Sequence, residues 1–84
     1  FIILTDIDGV YLNYGKPSQK KLVTVRVDEL EKYYYEGHFP PGSMGPKVLS
    51  AINFIRRGGK KAAIGALEEG YEVFKGEKGT QILR

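Results

Sequence analysis

The run Phe1-Ile2-Ile3-Leu4 constrains the fold more than any other stretch. Four apolar residues without alternation make a strand that offers apolar side chains to both faces of a sheet. Such strands belong to parallel sheets covered by helices, and the rest of the chain fits that architecture. From residue 27 onward, helical and strand-like patterns alternate, which is the signature of an α/β sheet layered by helices. In sheets of this kind ligands bind beyond the carboxyl ends of the strands. Two places therefore matter most: the loop after Leu4 and the approach to the second helix.

The chain order is as follows. Residues 1–4 read as a buried strand and Asp8-Gly9 as a turn. Residues 10–14 (VYLNY) are β-prone, GKPSQK is a turn, and residues 21–25 (KLVTV) form a second strand-like run. Residues 27–36 read as a helix, with Val27, Leu30 and Tyr34 on one face and Gly37 as its stop. Asp28 and Glu31 fit a capping box; alternatively the helix starts earlier and its acids occupy the first turn. Val48, Ala51, Ile52 and Ile55 give the next helix an apolar face that ends at Arg56, Arg57 and Gly58-Gly59. Residues 60–67 read as a strand. Residues 68–75 read as a short helix with Leu67, Tyr71 and Phe74 on one face, and residues 79–84 as a last strand.

Composition narrows the function classes. The 84 residues allow one domain or a piece of a larger one, with no cysteine for disulfides or thiolate metal sites. A cytoplasmic location fits that redox reading. The net charge of +3 is spread over pairs such as Lys20-Lys21, Arg56-Arg57 and Lys60-Lys61. It favours an anionic ligand and lacks the concentrated stripe of a nucleic-acid binder. No apolar run approaches the ~20 residues of a membrane helix. The single histidine, His38, has no second histidine or cysteine near it, so it reads as a loop hydrogen-bonding residue rather than a metal ligand. Tyr33, Tyr34 and Tyr35 read as packing and surface cover.

Two constellations carry chemistry. In Thr5-Asp6-Ile7-Asp8-Gly9-Val10-Tyr11, two carboxylates follow a buried strand at the ligand edge of the sheet. They suit a ribose hydroxyl, a metal or backbone amides; the plain alternative is an Asp-Gly turn with Asp6 capping local N–H groups. The second stretch is Gly37 to Lys47, GHFPPGSMGPK. Gly42 and Gly45 free the backbone, Ser43 or Gly45 serves as N-cap, and Pro46 suits a first helical turn. Free amides and the positive dipole end make a helix start an anion site. Lys47 sits in that first turn, where a cation alone is disfavoured and an anion would reverse the sign. The plain alternative is a solvated lysine behind a Gly/Pro loop.

These stretches resemble the carbamate kinases of the amino acid kinase family. The likeness is carried by LTDIDGVYLNYGKP (4–17), VDELEKY, EGHFPPGSMGPKV (36–48), AINFIRRGGKKAAI and GEKGTQI (76–82), and spans essentially the whole chain. It implies a three-layer α/β/α sandwich around a mainly parallel sheet, of which residues 1–84 would be the C-terminal, ATP-binding part. It implies phosphoryl transfer between ATP and carbamate, with ATP/ADP and Mg2+ as cofactors and a homodimer for the intact enzyme. Thr5, Asp6, Asp8, Gly9, Val10 and Tyr11 would line the adenosine and ribose region. Gly42, Ser43, Met44 and Gly45 would approach the nucleotide, and Lys47 would contact the phosphates and stabilise the transferring group.

The acceptor half of the family fold has no counterpart in these residues, so the chain is expected to be a fragment of a longer protein and inactive alone. Arg26 stands where relatives tend to have a capping threonine. Two other readings remain at this stage: a family member with a different acceptor, and a nucleotide-binding or assembly module without catalysis.

Overall fold

The computed structural model describes residues 1–84. Strands β1 (Ile2–Thr5), β5 (Lys61–Ala66), β6 (Thr80–Leu83) and β4 (Thr24–Arg26) form one sheet in that spatial order. The β1–β5 and β4–β6 pairs are parallel and the β5–β6 pair is antiparallel, so the sheet is mainly parallel. β2 (Val10–Leu12) and β3 (Lys20–Leu22) form a separate antiparallel hairpin. Helices α1 (Val27–Tyr35), α2 (Met44–Arg56) and α3 (Gly70–Phe74) complete the fold.

Alternation along β5 assigns the layers. Ile64 and Ala62 belong to the core cluster shared with Leu30 of α1 and Val48, Ile52 and Ile55 of α2. Gly65, the next residue after Ile64, faces α3, where an added Cβ would lie 2.4 Å from Val73 Cγ2. Successive strand residues point to opposite faces, so α1 and α2 cover one face and α3 the other. The result is the expected α/β/α sandwich. Val10 and Leu22 of the hairpin close the end of the main core.

Three local expectations change and one alternative is decided. The opening run is not buried on both faces: Phe1 is 49% exposed and Ile2 38% exposed, and β1 is an outer strand with one free edge. The strand-like run 21–25 splits at the exposed Val23, whose neighbours on either side belong to different sheets. The Val23 carbonyl accepts the Gln81 amide at 2.8 Å, which fixes that crossing. The helix at 68–75 begins as a 3-10 turn over Leu67–Glu69, and its apolar face is not the one the spacing marks. Leu67, Tyr71 and Phe74 are exposed, and Val73 packs instead against the glycine gap in β5. At α1 the second of the two sequence readings holds, an earlier start without a capping box. Its N-cap is Arg26, without a side-chain cap, and Asp28 and Glu29 lie in the first turn.

Candidate functional site

β1 ends on Thr5, whose buried hydroxyl donates to Asp6 Oδ1 at 3.1 Å. The chain then turns through Ile7, Asp8 and Gly9 into the hairpin. Facing this turn is the loop between α1 and α2. Gly37 adopts φ 84°, which ends α1 and redirects the chain toward α2. Pro40 then folds the loop onto the start of α2, its carbonyl accepting the amides of Ser43 at 3.2 Å and Gly45 at 2.8 Å. Gly45 is required for that closeness, since a Cβ there would lie 2.9 Å from the Pro40 oxygen.

The two segments enclose a cleft of about 300 Å³ at the carboxyl end of β1. Its walls include Thr5, Asp6, Gly9 and Tyr11 from one side and Ser43, Met44 and Lys47 from the other. Seven of the residues singled out in the sequence therefore meet in one place, although more than thirty positions separate the two groups.

The other four do not line the cleft. Val10 is fully buried in the core. Gly42 is an exposed loop residue with nothing within 4 Å of a would-be Cβ. Gly45 is buried against Pro40 as described. Asp8 turns to its own hairpin, accepting from Tyr11 Oη at 2.7 Å and from Lys21 Nζ at 3.3 Å. The Tyr11 hydrogen bond, then the lysine, hold the Asp8 carboxyl below the usual carboxylate range. The same bond raises the Tyr11 phenol to about 12, so Tyr11 stays a neutral donor at physiological pH.

Ser43 is the N-cap of α2 but makes no side-chain cap. With the Ser43 and Gly45 amides given to Pro40 and no N–H on Pro46, few first-turn donors are left for an anion. Lys47 therefore supplies most of the positive character. Its Nζ reaches back to the Ser43 carbonyl at 3.4 Å, over the positive end of the helix dipole. Asp6 is the one carboxylate lining the cleft.

The cleft also holds Ile7, which lies within the Thr5–Tyr11 run, and Tyr14, His38, Phe39 and Pro40, to which sequence reasoning gave no place in it. Tyr14 packs edge-on against Tyr11, with ring centroids 5.4 Å apart. His38 lies edge-on to Tyr33 at 5.6 Å, with Nε2 3.5 Å from Glu36 Oε1. It packs in its loop as the sequence suggests but makes no side-chain hydrogen bond there, and its place in the wall is additional. No three His, Cys, Asp or Glu side chains gather into a metal-binding group, and no helix is long and apolar enough to cross a membrane.

A family model described as the amino acid kinase family matches residues 1–66. The chain belongs to that family. Among curated relatives, the carbamate kinase of Thermococcus kodakarensis is 55% identical over all 84 residues, which make up 27% of that protein. The carbamate kinase of Thermoplasma acidophilum is 55% identical over 99% of this chain and likewise 27% of its own length. The segment thus spans about a quarter of the relatives it matches. Among solved structures, carbamate kinase from Giardia lamblia bound to AMP-PNP matches 98% of the segment with a TM-score of 0.94 at 39% identity, covering 26% of that chain. A further Giardia carbamate kinase structure matches with a TM-score of 0.89 at 38% identity.

Proposed function

We propose that this segment is the nucleotide-binding side of a carbamate kinase, binding ADP and ATP in the cleft between residues 5–11 and 38–47. The convergence of Thr5, Asp6, Gly9 and Tyr11 with Lys47 at the α2 start carries this reading. The similarity to carbamate kinases along the whole segment supports it, as does the AMP-PNP bound in a relative of the same fold.

In the proposed reaction an oxygen of the ADP β-phosphate attacks the phosphorus of carbamoyl phosphate. The bond from phosphorus to the carbamate oxygen breaks, and carbamate leaves with the electron pair. Such transfer depends on positioning and charge neutralisation more than on covalent chemistry by the protein. Lys47 offsets charge on the transferring group. Carbamate carries its own nucleophilic oxygen in the reverse direction, so no general base is needed. A Mg2+ ion held by nucleotide phosphates takes only one or two protein carboxylates, and Asp6 fits that need. Asp8, committed to Tyr11 and Lys21, does not.

The test follows ATP formed from carbamoyl phosphate and ADP by the full-length protein. Turnover is expected, and Lys47→Met should lower kcat about 10²–10³-fold, the scale of losing one preorganised charge partner. Its melting temperature should hardly move, because Lys47 makes only a long contact to Ser43. A normal kcat in Lys47→Met removes Lys47 from the mechanism. Nucleotide binding without turnover on carbamoyl phosphate would point to a different acceptor, and absence of nucleotide binding to an assembly module.

A further inference from the structure

Thr80 lies in β6, far in sequence from both cleft stretches, yet its hydroxyl is hydrogen-bonded to the backbone of both strands of the hairpin. Val10 and Leu22 face each other in the β2–β3 register. The Thr80 Oγ1 accepts from the Val10 amide at 2.8 Å and donates to the Leu22 carbonyl. Val10 and Thr80 are fully buried and Leu22 is 7% exposed, so neither backbone group has water to fall back on. Gly9, immediately before Val10, leaves the space for this contact: a Cβ there would lie 2.9 Å from Thr80 Oγ1. The hairpin joins the main sheet through no strand pairing of its own. It also carries Gly9 and Tyr11, one wall of the cleft.

We propose that the Thr80 hydroxyl is a positioning group for the nucleotide cleft, pinning the β2–β3 hairpin to β6 so that Gly9 and Tyr11 hold their place opposite Lys47. The inference rests on the cleft being the nucleotide site. Without the hydroxyl, the Val10 amide and Leu22 carbonyl each lose a buried partner, and the hairpin shifts to rehydrate them. The wall moves while Lys47 and the transferring group stay where they are. The loss therefore falls on nucleotide KM rather than on kcat.

The experiment compares Thr80→Ser with Thr80→Ala in the full-length protein. Both lack the methyl group and they differ in the hydroxyl alone. The readouts are KM and kcat for ADP, hydrogen exchange of residues 9–22, and thermal unfolding. Expected for Thr80→Ala are an ADP KM about tenfold higher, matching one buried unsatisfied pair, with kcat nearly unchanged and faster exchange confined to residues 9–22. Thr80→Ser should restore all three. Equal KM values in the two variants, or equal exchange over residues 9–22, overturn the proposal. So does an alanine variant that unfolds globally while the serine variant folds, because the hydroxyl would then hold up the whole domain. If the wild-type protein binds no nucleotide, the functional reading fails, and a wall of that site can no longer be what Thr80 positions. Hydrogen exchange then still decides whether Thr80 pins the hairpin.

Discussion

At the scale of single residues, the clearest consequences concern Asp8 and Arg26. The Asp8 carboxylate keeps Tyr11 in its phenol form, with the titration raised from 10.0 to about 12. The neutral phenol is thus favoured in the folded state. Its contribution is complete below pH 10 and fades as pH rises toward 12. Asp8 acts in the opposite sense, contributing above the usual carboxylate range and losing its contribution as acid protonates it. An NMR titration of the Tyr11 ring should give a midpoint near 12, and Asp8→Asn should return it toward 10.0; an unmoved midpoint would show that the hydrogen bond is not the cause. Arg26 occupies the N-cap of α1 with no side-chain cap, and its ion pair with Asp28 is 3.8 Å long between two largely exposed side chains. Exposed pairs of this kind contribute little. Arg26→Thr should therefore stabilise the fold by about 1 kcal/mol, the usual worth of a side-chain N-cap. A lower urea midpoint for Arg26→Thr would contradict this.

At the scale of elements, glycines decide how closely the layers approach. Gly79 leads into β6 with φ 76°, and a Cβ there would meet the Ile64 carbonyl at 2.7 Å. Gly79→Ala combines a disfavoured backbone with a backbone clash and should cost about 1–3 kcal/mol in urea unfolding. An unchanged midpoint would mean the turn relaxes freely. The same close approach explains which parts of the fold were legible in the sequence. Both long helices were, because their apolar spacing and stop glycines act locally: Val48, Ala51, Ile52 and Ile55 are all buried. The face of α3 was not. A helix of five residues takes its orientation from what it packs against, and the gap at Gly65 selects Val73 over Tyr71 and Phe74. The break at Val23 was hidden for a similar reason, since it is set by the Gln81 amide far along the chain.

At the scale of the whole molecule, the site was legible as two separate chemistries and not as one place. Lys47 stood out because a cation in a first helical turn needs a reason, and Thr5 to Tyr11 stood out as carboxylates after a buried strand. What joins them is tertiary: the Pro40 carbonyl folding the loop onto α2, and Thr80 holding the hairpin from 70 positions away. Tyr14 joins the cleft by the same long-range geometry, with no local pattern to announce it. The most direct test of the account is hydrogen exchange of the full-length protein with and without ADP. Protection of residues 5–11 and 38–47 together is the predicted result. Protection of only one of these stretches, or of neither while ADP is bound, would contradict a single nucleotide cleft between them.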